Sequence, residues 1–361
     1  MHEVPERTKK ICYHFLMNFF KFPSLFTEDL AIDLGTANTM IYVLGKGVVV
    51  REPTICAIKK KTKEIIAIGA EAKRMLGRTP PAIVIVRPLK DGVISDYDAS
   101  EKILYYFINK ISGKKSSFFR LPRPRVALGV PANITEVERR AVFKAALSAG
   151  ARQAFLLEEP MAAALGAELP VEEAKGSMIV DIGGGTTEIA VISLGGIVVA
   201  KSLKVAGYEI DQKVIEISKE KFGLIIGERT AEEIKIEIGN VFEPRDDKTA
   251  QLKGRSIATG LPVMIAVSQK DIYEGIKIPV SYIVEQIKDT IEETPPELVA
   301  DILKSGITLS GGGALLCGLD KLLSCETKIP IRVVQDPMTS VVKGCAKALG
   351  NKKLLEKVRV T

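Results

Sequence analysis

Two short stretches of the chain share an acidic residue, a turn of small residues, a threonine and two β-rich runs. One is DLGTANTMIYVLGKGVVV at residues 33–50, and the other is DIGGGTTEIAVISLGGIVV at residues 181–199. Aligned without a gap, they match at Asp33/Asp181, Gly35/Gly183, Thr39/Thr187, Ile41/Ile189, Val43/Val191, Gly47/Gly195 and Val50/Val198. A turn of glycine and small residues exposes successive backbone N–H groups that can bind an anion. Two such turns could therefore hold a polyphosphate from both sides.

The aspartate that begins each stretch adds a candidate metal site. Asp33 and Asp181 could each hold hydrated Mg²⁺, because Mg²⁺ keeps several waters and takes few protein ligands. A third glycine turn, Gly311–Gly313, precedes a predicted helix, whose N-terminus would favour an anion. The chain has no G-x-x-x-x-G-K-[ST] pattern, so the site would not be a P-loop. One hairpin alone would more often be an ordinary β-turn, but two in register with a third glycine turn favour a nucleotide.

These turns need strands that end near the two aspartates and hairpins that follow them. The pattern of residues 29–50 predicts strand, turn, strand and strand, and a glycine hairpin of the same kind lies at Asp181. Helical periodicity is predicted at 98–111, 134–149, 161–165, 210–222 and 231–238. No low-complexity linker separates the two halves. The repeat therefore predicts two related domains that pack around a shared cleft.

Composition excludes several classes of protein. The chain has 361 residues, 46% of them hydrophobic, which is enough for two α/β domains with large cores. The net charge of +7 is dispersed among nearly as many acids, so a solvated surface is favoured over a nucleic-acid partner. Five cysteines without a C-x-x-C pair argue against a disulfide framework or a zinc site and fit a reducing cytoplasm. The two histidines, His2 and His14, lie in the N-terminal tail, so histidine-dependent catalysis in the folded body is disfavoured.

The N-terminal 27 residues have an amphipathic pattern. On a helical wheel, a basic and polar stripe runs from Arg7 to Lys21, and apolar residues that include Ile11, Phe15 and Phe19 cover the rest. The apolar run is too short to span a bilayer and no A-x-A cleavage site follows it. The pattern is typical of a helix in the membrane interface, and the alternative is a helix packed on the protein's own surface.

Several further motifs occur in a characteristic order. They are DLGTANT (33–39), VERRA (137–141), EEPMAAA (158–164), DIGGGTTE (181–188), GERTAEEIKIEIG (227–239), LSGGGALL (309–316) and DPMTSVVKG (336–344). From about residue 29 to 350 the chain resembles the actin, heat-shock chaperone and sugar kinase superfamily, and within it the rod-shape-determining bacterial actins. The resemblance implies an α/β actin-like fold with two related ribonuclease-H-like domains, each with an inserted subdomain. It also implies ATP with Mg²⁺ in the interdomain cleft, slow ATP hydrolysis and ATP-dependent filaments.

The resemblance suggests a division of the chain. Residues 1–27 would be a membrane-binding extension, and 28–173 would be domain I with a small insertion at about 58–90. Residues 174–338 would be domain II with an insertion at about 208–275, and 339–361 would return to domain I.

Functional residues can be carried over from the matching motifs. The resemblance assigns the first phosphate turn to Thr36, Ala37 and Asn38, the second to Gly184, Gly185 and Thr186, and the metal, through water, to Asp33 and Asp181. Glu159 takes the position that orients the attacking water, with help from Thr186. The alternative for Glu159 is an ion-paired surface glutamate. Such a residue need not accept a full proton, because phosphoryl transfer is catalysed mostly by positioning and charge stabilisation.

The adenosine end is assigned to Glu232, Glu233, Ile234 and Lys235, opposite Gly311, Gly312, Gly313 and Ala314. Thr230 and Glu233 have the spacing of a capping box. Glu232 and Lys235 share a helix face, and without the resemblance a surface salt bridge would be the favoured interpretation. One departure is Tyr208 after Ala206-Gly207, where the family motif often has Gly-Asp.

Assembly and membrane contacts also follow from the resemblance. The helix at residues 135–147 matches the one that pairs protofilaments antiparallel, with Val137 at the contact; the alternative is a core valine. Phe118, Phe119 and Leu121 lie in a polar, proline-containing loop flanked by cations, which matches a membrane contact of the family. The expected partners are other copies of the chain, the inner membrane surface, and membrane proteins of the cell-wall synthesis or division machinery, with no nucleic acid. The expected location is cytoplasmic and membrane-associated.

Other functions of the same fold remain as alternatives. A bacterial actin of division or plasmid segregation is the nearest one. A soluble small-molecule kinase would need a substrate pocket with a catalytic aspartate. A chaperone would need a substrate-binding β domain after the ATPase, and we expect none because the sequence given ends at Thr361.

Overall fold

The computed structural model describes residues 28–112 and 123–360 of the chain. The strands in this part are β1 Leu30–Leu34, β2 Asn38–Val43, β3 Gly47–Pro53, β4 Cys56–Lys59, β5 Ile65–Ile68, β6 Ile83–Val86, β7 Leu89–Lys90, β8 Val93–Ile94, β9 Arg125–Val130, β10 Gln153–Glu158, β11 Ser177–Ile182, β12 Thr187–Ser193, β13 Gly196–Leu203, β14 Leu224–Ile225, β15 Thr249–Ser256, β16 Pro262–Ser268, β17 Ile307–Ser310 and β18 Ile331–Val333. The α-helices are α1 Ala70–Met75, α2 Tyr97–Ser112, α3 Glu136–Ser148, α4 Glu159–Gly166, α5 Gly207–Phe222, α6 Glu228–Ile238, α7 Gln269–Glu292, α8 Pro296–Ser305, α9 Leu319–Thr327, α10 Ser340–Gly350 and α11 Lys352–Val358.

Two five-stranded sheets carry the fold, and they have the same topology. The first has the order β10-β9-β1-β2-β3 and the second β18-β17-β11-β12-β13. In each sheet an antiparallel three-stranded meander is extended by two parallel strands. The central strands β1 and β11 are almost entirely buried, since both faces of each sheet are covered. The sequence repeat thus marks the same hairpin in two related domains, as predicted.

Two helices pack together between the sheets and form the shared core. These are α4, whose sequence EPMAAALG is rich in small residues, and α10. A Cβ on Gly344 would lie 1.7 Å from the carbonyl oxygen of Ala162, so the two backbones approach too closely for any side chain there. This contact fixes α4 against α10 and thereby holds Glu159, the first residue of α4, at the gap between the domains.

A separate three-stranded sheet is inserted after the hairpin of each large sheet. Strands β5-β4-β6 with α1 follow the first hairpin, and β14-β15-β16 with α6 follow the second. They agree with the expectation of one insertion per domain, while the exact boundaries at residues 173/174 and 338/339 stay a prediction.

Most predicted helices are present with shifted ends, but one predicted cap is wrong. Thr230 and Glu233 do not form a capping box, because α6 begins at Glu228 and has Gly227 as its N-cap without a side-chain bond. Thr230 therefore lies inside the first turn. A capping box does occur at α3, where Thr135 and Glu138 bond each other's backbone N–H groups at 3.3 and 2.9 Å.

Within residues 28–112 and 123–360, the structure contains no helix of the length and apolarity needed to cross a membrane. The predicted membrane residues Ile11, Phe15, Phe19, Phe118, Phe119 and Leu121 lie outside the described residues.

Candidate functional site

The two small-residue turns face each other across the gap between the large sheets. A Cβ on Gly184 would lie 2.4 Å from the Cβ of Ala37, and one on Gly185 would lie 2.8 Å from Cγ2 of Thr36. Side chains larger than hydrogen do not fit at such distances, so the second turn needs glycine in order to meet the first. The Oγ1 atom of Thr36 also accepts a hydrogen bond of 3.0 Å from the backbone N–H of Gly92, which anchors the first turn.

A cavity of about 310 Å³ opens at these turns. Most of the predicted site residues line it: Asp33, Thr36, Ala37, Asn38, Glu159, Asp181, Gly184, Gly185, Thr186, Glu232, Lys235, Gly311, Gly312 and Gly313. Residues more than 100 positions apart in sequence are thus brought to one cavity, with the glycine turn after β17 closing its far side.

Three predicted residues do not line the cavity. Glu233 is exposed and pairs with Arg229 at 2.8 Å, one turn earlier on α6. Ile234 and Ala314 are 2% and 5% exposed and belong to the core of the second domain. A helix presents only some of its residues to one side, so a run of four consecutive residues could not all face the cavity.

Carboxyl groups are crowded at the floor of the cavity. Burial, together with the nearby Asp181, raises the pKa of Asp33 to about 8. Burial raises the pKa of Asp181 to about 6, although the Oγ of Ser310 donates a hydrogen bond of 2.5 Å to it. Burial and the charges of Glu188, Asp33 and Asp181 hold the pKa of Glu159 well above its usual range. These buried carboxyls therefore lack enough nearby positive charge to stabilise their ionised forms.

A Mg²⁺ ion held through water molecules would supply the missing positive charge. Within the described ranges, no group of three or more His, Cys, Asp or Glu side chains is placed to bind a metal ion directly. Two crowded carboxylates with raised pKa values beside an anion-binding turn suit a hydrated ion that shares its coordination with phosphates. Asp33 and Asp181 are the side chains that would hold its waters.

Glu188 is a buried carboxyl at the site that the sequence reasoning missed. It is 1% exposed, and burial raises its pKa to about 7. It accepts hydrogen bonds from the Oγ of Ser202 at 2.5 Å and from the backbone N–H of Ala132 at 3.4 Å, so it joins the two domains. In the sequence, Glu188 could have been noticed as the last residue of the DIGGGTTE motif, one residue after the matched Thr187.

Part of the cavity lining is apolar. Ile236 and Leu315 both line it, although 75% and 60% of their surfaces remain exposed. Leu316, Pro337 and Met338 also line the cavity, and Val341 lines it beside Glu159. None of these side chains was predicted, although Leu315 and Leu316 belong to the LSGGGALL motif. Large exposed apolar side chains that converge on a cavity suit the faces of a flat ring.

Glu232 and Lys235 of α6 do not pair with each other. The Nζ of Lys235 lies 2.7 Å from the buried Asp211 and 3.1 Å from the carbonyl oxygen of Gly207. Glu232 instead forms an ion pair of 2.6 Å with Lys73 of α1, in the other domain. The interpretation of Glu232 and Lys235 as a salt bridge within the helix is therefore excluded.

Tyr208, the departure from the family motif, also lies in the cleft. Its backbone N–H donates to the carbonyl oxygen of Gly184 at 2.8 Å. The guanidinium carbon of Arg87 lies 5.1 Å from the ring centroid, and Arg87 donates to Glu228 at 2.5 Å. Tyr208 thus connects the second phosphate turn to an ion pair between the two inserted sheets.

Val137 lies far from this cavity, on the surface. Its side chain is 78% exposed at the start of α3, which excludes its interpretation as a core valine.

Comparison with known proteins identifies the family. The family model described as MreB/Mbl protein matches residues 27–357. The cell shape-determining protein MreB of Pasteurella multocida is 48% identical over 339 residues, which covers 92% of this chain and 96% of that protein. The crystal structure of MreB5 of Spiroplasma citri bound to ADP superimposes with a TM-score of 0.84 at 36% identity, covering 91% and 97% of the two chains. The MamK double helical filament shares the fold, with a TM-score of 0.74 at 22% identity over 90% of this chain and 99% of that one. The chain therefore has the actin-like fold and belongs to the MreB/Mbl family.

Proposed function

We propose that the protein binds ATP with Mg²⁺ between its two domains, hydrolyses it slowly, and forms membrane-associated filaments that scaffold cell-wall synthesis and cell shape. The observation that carries the proposal is the contact of the two small-residue turns above a crowded group of carboxyls. It is supported by the relatives named for cell-shape determination and by the ADP bound to MreB5 of Spiroplasma citri.

The backbone N–H groups of the two turns would hold the phosphates. Ile236 and Leu315 would contact the faces of the adenine, and Glu232 and Lys235 would reach the ribose and the base edge. Glu232 is held by an ion pair with Lys73 of the other domain, and Lys235 by an ion pair with Asp211 of its own domain. Nucleotide binding is therefore expected to rearrange these pairs and to alter the closure of the cleft.

Bound Mg²⁺ would neutralise the phosphates and favour charge development on them. Asp33 and Asp181 would orient its waters from the strand ends. Glu159 and Thr186 would then position the attacking water. The charge of the bound Mg²⁺ would favour the carboxylate form of Glu159, which accepts the hydrogen bond of the water, over the protonated form that its raised pKa favours in the empty cavity. Because α4 is fixed by its glycine contact with α10, Glu159 is placed by the backbone and not by a mobile side-chain partner.

Filament pairing and membrane binding complete the proposal. Val137 is an exposed apolar residue on a capped helix, as a contact between protofilaments requires. The membrane contacts would be the segment 7–22 and the loop with Phe118, Phe119 and Leu121. Each would bind weakly alone, but many copies in a polymer would bind tightly because attachment of one copy raises the local concentration of the next. The expected location is the cytoplasmic face of the inner membrane, with membrane proteins of the cell-wall synthesis or division machinery as partners.

Sedimentation with ATP, with and without liposomes, tests the proposal. The wild-type chain should pellet with ATP and Mg²⁺ alone, and with anionic liposomes. A variant that lacks residues 1–27 and has Phe118→Ser and Phe119→Ser should still pellet as filaments with ATP and Mg²⁺. Unlike wild type, it should no longer float with the liposomes in a density gradient. Undiminished liposome binding would show that neither element is the anchor. Phosphoryl transfer accelerated by a sugar or acetate, without filaments, would favour the small-molecule kinase instead.

A further inference from the structure

A second concave surface lies on the outer side of the first domain, away from the nucleotide cavity. It is a groove of about 600 Å³ between α3, the edge strand β10 and the last described residues, Arg359 and Val360. We call it the arginine groove, and its rim consists of Arg139, Arg140, Arg152 and Arg359. Its floor is apolar and includes Phe143, Leu147, Ala154 and Leu156.

The C-terminal residues Arg359 and Val360 already pair with the free edge of β10. The N–H of Val360 donates to the carbonyl oxygen of Leu156 at 2.9 Å, and Arg359 faces Leu157 in an antiparallel bridge. In the described part of the chain, residues 153–155 pair only with β9 on their other side. A strand that continued in the antiparallel direction beyond Val360 would run alongside residues 153–155. The backbone geometry for one more strand is therefore present.

The positive charge of the arginine groove favours an anionic binding partner. Its lining contains the four arginines and no acidic side chain. Arg139 and Arg140 contact Glu136 at 3.3 and 2.8 Å, and Arg359 contacts Glu356 at 2.7 Å. Arg152 is exposed and has no ion pair with any residue that the structure describes. Arg139 also faces the half-buried carboxyl of Glu158. Arg152 is therefore the cation of the rim that a partner could neutralise.

The chain's own remaining segments do not complement this charge. Residues 1–27 contain four Lys and Arg against two Glu, and residues 113–122 contain three Lys and Arg and no acid. A flat membrane surface would reach the rim but not the backbone of a recessed strand edge. An acidic peptide would match both features, since arginine binds carboxylates in a bidentate geometry and a strand edge binds extended backbone.

We propose that the arginine groove binds an acidic, extended segment of another protein, which adds to β10 as an antiparallel strand in line with Val360. Alternate side chains of the segment would face the apolar floor. Its carboxylates would contact the arginines of the rim, with Arg152 as the principal cation.

A fluorescein-labelled ten-residue peptide of alternating glutamate and valine tests this with the full chain, by fluorescence anisotropy at low salt. We expect saturable binding that weakens with salt, and no binding of the peptide with lysine in place of glutamate. Methylation of alternate backbone nitrogens should abolish binding, because the strand hydrogen bonds are lost. Arg140→Glu with Arg152→Glu should weaken binding about tenfold or more.

Arg332→Glu is the matched control. Arg332 is an exposed arginine on β18, the edge strand that takes the place of β10 in the second domain, and its substitution should leave peptide binding unchanged. Equal binding by wild type and the double variant, or no saturable binding by the acidic peptide, would overturn the proposal. The proposal would also be overturned if the N-methylated peptide bound as well as the unmodified one and phosphatidylglycerol vesicles displaced it. That result would identify the groove as a site for lipid headgroups. Loss of self-association in Arg152→Glu alone, without loss of peptide binding, would overturn the proposal and assign the groove to a second copy of the chain. The single variant is used here because Arg140 lies one turn from Val137, the proposed protofilament contact.

Discussion

Gly184→Ala is the substitution that most directly tests the contact between the two phosphate turns. The added Cβ would lie 2.4 Å from the Cβ of Ala37 and 3.3 Å from its Cα and N atoms. Carbon atoms in contact are about 3.5–4.0 Å apart, so the turns must separate by about 1 Å. The backbone of Gly184 does not lie in the left-handed region, so alanine itself is not strained there. Any effect therefore reports the turn-to-turn contact.

Two consequences follow, and each has a rough magnitude. Forcing an extra methyl into a closely packed site is expected to lower the free energy of unfolding by about 1–3 kcal/mol. A displacement of about 1 Å in a positioned site is expected to slow ATP hydrolysis by about 10²-fold. Thermal unfolding without nucleotide measures the first effect. Phosphate release at saturating ATP measures the second, and binding of a fluorescent ATP analogue shows how much affinity is lost.

Two further variants separate this reasoning from a general loss of stability. Gly196→Ala lies on the next hairpin strand, where the nearest atom to a new Cβ is 3.9 Å away, and it should behave like wild type. Adding Ala37→Gly to Gly184→Ala removes the closest clash and should restore part of the activity. Wild-type phosphate release by Gly184→Ala, or no recovery in the double variant, would refute a direct contact between the turns.

Three more predictions concern catalysis, charge and assembly. Glu159→Ala should bind ATP but release phosphate about 10²–10⁴-fold more slowly, with persistent filaments; phosphate release at the wild-type rate would contradict its role. The nucleotide-free protein should lose stability as pH rises from about 4 to about 8. Asp33, with its pKa raised from 3.8 to about 8, binds more protons in the folded state, and Asp181 acts in the same direction. Over the upper part of this range, the affinity for Mg²⁺–ATP should rise with pH, because binding releases protons from these carboxyls. Calorimetry in buffers of different ionisation enthalpy would measure the number of protons released. Val137→Glu should leave a folded ATPase that forms single protofilaments in electron micrographs, because like charges would meet across a two-fold contact; paired filaments would exclude this interface.

The fold and the meeting of the two small-residue turns could be predicted because they depend on local patterns. The repeat around Asp33 and Asp181 fixes two hairpins of the same kind, and the small residues in each turn follow from the need to expose backbone N–H groups. Most helices could be located for a similar reason, since their apolar residues recur with the helical period. The exception at Thr230 shows the limit of short motifs. A capping box has few defining residues, and the helix begins three residues earlier than predicted.

Only the tertiary structure decided which side chains share the cavity and what their environment is. The pairing of Glu232 with Lys73 and of Lys235 with Asp211 joins residues distant in sequence, so no spacing rule could reveal it. The same holds for Glu188, whose raised pKa results from burial between two domains. Whether Val137 was buried or exposed also depended on how α3 packs on its sheet. Local patterns determine which elements form and where the turns of small residues lie, whereas burial, ion pairing and proton affinity depend on contacts between distant residues.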